Sequence, residues 1–210
     1  MSTLSLWQIN LLPWYAFAAY WAVTALRVKR TKAAESTGNR AGTMLPMILA
    51  FLLLFSNQLT IGPLGRRFVP ADFRVAYAGI LLTWLGVAVA IWARNCLGQY
   101  WSARVTLKED HRLIQSGPYA YIRHPIYTGM LVGATGTALV AGEWRGLLAV
   151  GVMLVAHSGK ARREEAMLSA EFGAEYTEYR RRTGFLFPRL SRVDPGAEKG
   201  PLQAESEHLG

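Results

Sequence analysis

The sequence predicts an all-α polytopic membrane protein, with about five transmembrane helices followed by a cytoplasmic amphipathic helix. Three observations lead there. Hydrophobic residues make up 51% of the 210, yet they are gathered into long runs. Charged residues fall between those runs rather than within them. Lysine and arginine concentrate on alternate connecting segments, as in chains oriented by positive charge on the cytoplasmic side.

A bilayer core requires about 20 mostly apolar residues in a helix. The first such run is Leu11 to Val28, with Trp14, Tyr15, Tyr20 and Trp21 as interfacial aromatics. The opening MSTLSLWQIN has neither a positive n-region nor a cleavage site of small residues, so this run is expected to be retained as a helix. The second, Met44 to Ile61, has no charge, and Gly62-Pro63 is expected to end it. The third, Phe73 to Trp92, is free of charge after Arg74. The fourth, Ile126 to Ala141, and the fifth, Gly146 to His157, are short and separated by Gly142-Glu143-Trp144-Arg145, which reads as a tight helical hairpin. Beyond it, Lys160 to Arg182 is charged but carries Met167, Leu168, Phe172, Tyr176 and Tyr179 at helical spacing, so one face is apolar. Residues 193–210 have little apolar content and are expected to be disordered.

Five lysines and arginines follow the first run, five follow the third and nine follow the fifth, against three and one on the alternate segments. That places the amino terminus outside and the carboxyl terminus in the cytoplasm. The net charge of +9 is therefore read as juxtamembrane and lipid-facing. No basic stripe with interleaved aromatics occurs, which argues against a nucleic-acid partner. The lone Cys96 excludes an intramolecular disulfide and a cysteine-based metal site.

Three clusters on the cytoplasmic side have residues suited to chemistry. In Ser116–Gly129, Gly117-Pro118 marks a turn and Pro125 suits the first turn of the fourth helix. Arg123 and His124 then lie beside a helix N-terminus, whose free N–H groups favour anions. An interfacial anchor, with Arg123 on lipid phosphate, explains these residues equally well. At the exit of the fifth run, Lys160 and Glu164 share a helical face, while adjacent Glu164 and Glu165 point apart, so one acid is expected to face any given pocket. A solvated basic cluster is the plainer account. The third, Glu171 to Arg180, reads as scaffold.

Taken in order, Arg-His-Pro-x-Tyr-x-Gly, an apolar hairpin and Glu-Glu-x-x-Leu-x-x-x-Phe-Gly-x-x-Tyr-x-x-Tyr resemble the isoprenylcysteine carboxyl methyltransferase and phospholipid methyltransferase superfamily. The likeness covers about Leu97 to Pro188. It implies a single membrane methyltransferase domain over 1–192, with its catalytic half at about 94–190 and S-adenosylmethionine bound in a cytoplasm-facing cavity. By the same resemblance, His111, Arg112, Leu113, Ile114, Tyr119, His124, Pro125, Ile126, Tyr127 and Glu164 would contact the cofactor. Lys160 would stand where the family keeps a substrate-facing arginine, and Lys160, Glu164 and Arg123 would form the catalytic group, with Arg104 a further candidate. Lysine keeps the charge of that arginine without its bidentate fork. The implied acceptor is a lipophilic small molecule or prenylated substrate drawn from the bilayer, most simply the carboxylate of an isoprenylcysteine-like molecule. Phospholipid amine methylation, an NADPH-dependent reductase of the membrane sterol type, which shares Arg-His-x-x-Tyr, and a non-catalytic relative are the alternatives.

Overall fold

In the computed structural model, residues 5–25, 31–34, 37–98, 106–108 and 113–189 are described. Five long helices follow in order: α1 (Leu6–Ala25), α2 (Thr37–Phe55), α3 (Phe73–Leu97), α4 (Pro125–Ala141) and α5 (Trp144–Arg182). Two short strands, β1 (Thr31–Ala34) and β2 (Thr106–Lys108), pair antiparallel. Each helix overlaps one of the five apolar runs, so the helical architecture agrees with the sequence. The tail expected to be disordered lies outside the described residues.

Helix ends depart from expectation where local capping decides. α2 stops at Phe55 because Ser56 turns extended and its hydroxyl accepts the Gln58 N–H, starting a 3-10 turn. Gly62-Pro63 opens a second such turn and does not terminate α2. α3 is capped by Asp72, whose carboxylate accepts the Arg74 N–H at 2.7 Å, and it runs to Leu97. Arg94, expected in a loop, is therefore inside the helix. Its guanidinium is buried and donates to the carbonyls of Gly98 and Thr24. α4 ends at Gly142, and two residues later α5 begins, confirming the tight hairpin. The segment expected as a separate amphipathic helix is the distal part of α5, bent at Gly173. There φ is +51°, a conformation that glycine adopts without the steric penalty of a Cβ.

α3 and α4 touch backbone to backbone. A Cβ placed on Gly86 would lie 2.3 Å from the Gly133 nitrogen and 2.5 Å from the Gly129 oxygen. One on Gly136 would lie 2.4 Å from the Gly79 oxygen. Small residues let helices approach this closely in apolar surroundings, where packing replaces hydrophobic drive. A buried polar knot tightens the same crossing: Thr137 Oγ1 accepts from Trp14 Nε1 at 2.9 Å and Asn10 Nδ2 at 3.2 Å, and Thr83 Oγ1 donates to Asn10 Oδ1 at 2.8 Å. α2, α4 and α5 pack through Ala50, Leu53, Leu54, Leu131, Ala138 and Met153, joined by Leu186 from the segment after α5.

Among the described residues, α3 alone is both long and apolar enough to cross a bilayer; α4 and the apolar part of α2 are shorter. Leu45, Ile48, Leu49 and Leu52 on α2, Leu81, Trp84 and Leu85 on α3, and Leu148, Leu154 and Val155 on α5 are exposed. An apolar surface on several helices suits lipid better than water.

Gly86→Ala is expected to lower stability by about 1–3 kcal/mol, because overpacking against backbone cannot relax. Gly151→Ala, where an added Cβ meets nothing within 4 Å, is the control and should be neutral or slightly stabilising. Thermal unfolding in detergent checks both.

Candidate functional site

The stretch before α4 folds back on itself. Gly117–Ala120 forms a 3-10 turn that buries Pro118 and Tyr119, and Tyr121 and Ile122 both donate to the Pro118 carbonyl. The segment after α5 then runs alongside: Arg123 N–H donates to Gly184 O at 2.9 Å, His124 N–H to Phe185 O at 3.3 Å, and Gly184 N–H to Tyr121 O at 3.0 Å. Tyr179 adds a hydroxyl bond to the Tyr119 carbonyl at 2.8 Å. Backbone bonds and a buried tyrosine thus fix Arg123 and His124 against the distal half of α5.

His124 precedes Pro125, the first residue of α4, and its ring makes no cap; it faces α5 instead. Its Nε2 lies 3.2 Å from Glu165 Oε1 and its Nδ1 3.5 Å from Glu164 Oε2. The sequence expectation that one of the two acids faces the site is corrected here. Side chains of neighbouring helical residues diverge by about 100°, but a buried imidazole placed between them has a nitrogen for each. Glu164 Oε1 also accepts the Tyr127 hydroxyl at 2.6 Å, and Lys160 Nζ lies 3.9 Å away. Glu165 takes Arg123 Nε at 2.6 Å and sits 3.7 Å from Arg180 Nε. Arg123 is further committed to the carbonyls of Thr183, at 2.5 Å, and Arg180. Its surroundings are those of a buttress.

These contacts set the charge states. Burial works against a charged His124, but hydrogen bonds from its ring to Glu164 and Glu165 and their negative charges outweigh it, so the pKa is raised. Burial likewise opposes ionisation of Glu164; the His124 hydrogen bond, the charge of Lys160 and the Tyr127 hydroxyl overcome it and hold the carboxyl below its ordinary range. For Glu165 the balance of burial against His124 and Arg123 leaves the pKa at about 2. Tyr119 is pushed well above the usual phenol value, by burial first and then by nearby Glu164.

The other expected residues fall into two groups. Pro125 and Ile126 are buried in the first turn of α4; Ile126 packs with Tyr119 and Ala93, and Ile114 lies against them. Leu113 is half-buried just before the turn. His111, Arg112 and Arg104 lie outside the described residues. Two side chains in the cluster are additions to the sequence reading. Glu165 is one. The other is His157, 4% exposed, whose ring stacks on Tyr127 at 4.6 Å between centroids and 12° between planes. Among the described residues, neither of its nitrogens has a hydrogen-bond partner. An ionisable side chain closing an apolar run was its available signal.

The raised His124 pKa contributes stability fully below the unfolded value of about 6.5, and that contribution is lost as pH rises through the folded value. The lowered Glu165 pKa contributes fully above its ordinary 4.5, and this is lost as pH falls toward about 2. The unfolding temperature is therefore expected to be highest at roughly pH 5 to 6.5 and to decline on either side. In His124→Asn the alkaline decline should vanish. A wild-type profile flat from about pH 5 to 9 would contradict the charged bridge.

A model of the phospholipid methyltransferase family matches residues 75–175, from α3 through the carboxylate pair of α5. The protein-S-isoprenylcysteine O-methyltransferase of Schizosaccharomyces pombe is 32% identical over 102 residues, 41% of this chain and 43% of its own length. Its counterpart from Saccharomyces cerevisiae is 34% identical over 113 residues, 52% of this chain and 47% of its own. A cobalt-zinc-cadmium resistance protein of Cupriavidus metallidurans is 33% identical over 115 residues, 53% and 50% respectively. The chain spans about half the length of these curated relatives. The structure brings the Arg123–Gly129 and Glu164–Tyr179 segments together in space, and over residues 75–175 the chain is similar to the phospholipid methyltransferase family.

Proposed function

We propose that this protein methylates the carboxylate of a lipophilic, isoprenylcysteine-like acceptor, using S-adenosylmethionine, at a site on the cytoplasmic face of a five-span bundle. One observation carries the reading. Glu164 is met at once by His124 and Tyr127 from one motif and by Lys160 from the other, so the two motifs form a single charged, aromatic cluster. The lysine and arginine asymmetry supports the orientation, amino terminus outside and carboxyl terminus inside.

The donor set suits the cofactor. Its amino-acid part bears a carboxylate, an ammonium and a sulfonium, and the cluster presents both signs: an ionised Glu164 beside aromatic faces, which favour cations, and Lys160 close by. Glu164, with His124, Tyr127 and the buried Pro125, Ile126 and Tyr119 behind them, would hold it, joined by Leu113 and Ile114 and by His111 and Arg112. When bound, S-adenosylmethionine would supply an electrophilic methyl group on positive sulfur, whose transfer to a carboxylate would leave neutral thioether and release no proton.

The chain's own part is alignment. A carboxylate acceptor is already ionised near pH 7, so no general base is required. Lys160 would hold that carboxylate as a point charge, and orientation beside the electrophile would supply much of the rate. Arg123 would act at one remove, holding Glu165 and through it His124. The Tyr127 hydroxyl fixes Glu164, so Tyr127 and Glu164 are expected to work as a unit.

Titration of the detergent-solubilised protein with S-adenosylhomocysteine is the direct test. Saturable binding is expected, and Glu164→Gln should weaken it about tenfold or more, the scale of one hydrogen bond to a charged group. No binding up to high micromolar concentration would sink the methyltransferase reading. Methyl-labelled cofactor supplied with N-acetyl-S-farnesylcysteine or with phosphatidylethanolamine then identifies the acceptor. Labelling of the amine lipid alone would move the assignment to phospholipid N-methylation.

A further inference from the structure

His157 is the buried ionisable group that the proposed function leaves without a task. It is 4% exposed, and among the described residues neither ring nitrogen has a hydrogen-bond partner. A buried polar atom left unpaired costs about 1–3 kcal/mol. A phenylalanine would fill the same space against Tyr127 without that cost, so packing alone does not account for a histidine here.

Its position says what the nitrogens are for. His157, Lys160 and Glu164 are three and four residues apart and share one face of α5. All three touch the same ring: His157 stacks on Tyr127, Lys160 Nζ stands 5.5 Å from its centroid, and Glu164 takes its hydroxyl. Along the helix axis His157 is about 4.5 Å from Lys160 and about 10.5 Å from Glu164, at 1.5 Å per residue. It lies on the side of the apolar run that ends with it, whereas Glu164 lies on the polar side. A ligand with an apolar body and an ionised head would reach His157 and Lys160 before Glu164.

We infer that His157 is an acceptor-binding residue, whose ring N–H and the Lys160 ammonium together hold the carboxylate of the methyl acceptor. This rests on the methyltransferase reading and deepens it. An imidazole in either charge state has at least one ring N–H to donate, and two donors from one helix face replace part of the fork that lysine lacks relative to arginine. The pair also selects for acid over product. Methylation removes the negative charge, so the ester loses the ion pair with Lys160 and the charge-assisted bond to His157. An ammonium acceptor would meet the like charge of Lys160.

The experiment uses the full chain in detergent with His157→Phe, which keeps the ring and loses the nitrogens, and His157→Gln, which restores an N–H donor. S-adenosylhomocysteine affinity, KM and kcat for N-acetyl-S-farnesylcysteine, competition by that acid against its carboxamide, and the unfolding temperature are measured. For His157→Phe the expected results are cofactor-product affinity within about twofold of wild type, an unfolding temperature equal or higher, and a KM raised about tenfold or more. The preference for acid over carboxamide should shrink in the same variant, and Gln should recover part of both. A wild-type KM in His157→Phe would overturn the inference, leaving the reading of the enzyme intact. An equal loss of S-adenosylhomocysteine affinity would overturn it by assigning His157 to the cofactor. If Phe fails to fold while Gln folds, the nitrogens serve the fold, which also overturns it. Wild-type protein that binds S-adenosylhomocysteine but methylates no carboxylic acid removes both the inference and the carboxylate reading.

Discussion

The rest of the structure depends on how closely α3 and α4 lie. Glycine meets glycine across their crossing, so the two axes cannot slide or separate by a side-chain width without losing the contact. That fixes α4, and α4 carries Pro125, Ile126 and Tyr127 at its start. The Asn10–Thr83–Thr137 knot brings α1 to the same place. In an apolar medium such bonds are worth only about 0.6–2 kcal/mol each, so the knot selects rotation more than it supplies stability. With α4 held, the aromatic face of Tyr127 becomes a fixed platform against which α5 sets its polar residues.

The second constraint is electrostatic. Two adjacent carboxylates, a histidine and Arg123 would be costly to bury separately, since each ion must shed water. Shared, they satisfy one another: His124 reaches both acids, Arg123 holds one acid and two carbonyls, and Tyr127 holds the other. Replacing one member leaves the others buried and unpaired, so the group behaves as a unit. The same bridge joins a loop before α4 to a helix about forty residues later, and it makes the distance between the two motifs a property of charge balance. Proximity of oriented groups, in place of a strong base, is what the proposed methyl transfer would require.

Much of this was legible in the sequence because long apolar runs and their glycine boundaries are local signals. The α4–α5 hairpin followed from Gly142 between two short runs, and Pro125 marked the start of α4. Four features were not legible. The end of α2 turned on one serine hydroxyl at Ser56, a choice that hydropathy does not register. Arg67 and Arg145, which count as loop charges, donate to carbonyls at the ends of α4 and α2: Arg67 to Ala141, Arg145 to Leu53 and Ser56. Arginine can be spent on orphan helix-end carbonyls, and only the fold says which ones are. At the site, Glu164, Lys160 and Tyr127 could be named from resemblance, but the bridging of both acids by His124 needed three dimensions. His157 was hidden for a different reason. Its place at the end of an apolar run is visible in the sequence, but its lack of a hydrogen-bond partner among the described residues is not.

The return of Thr183–Phe185 past the start of α4 has a consequence for how the protein is made. A ribosome delivers α1 through α4 first, and those helices hold their own close crossing and polar knot. The carboxylate pair arrives later on α5, and the backbone bonds from Arg123 and His124 to Gly184 and Phe185 can form only once nearly the last described residues have emerged. Until then the loop before α4 has no partner for its exposed N–H groups, and the acids are without Arg123. The candidate site is thus the last part of the fold to close, so a chain interrupted short of Gly184 would leave the helices assembled around an unfinished site with unpaired backbone and unbalanced charge.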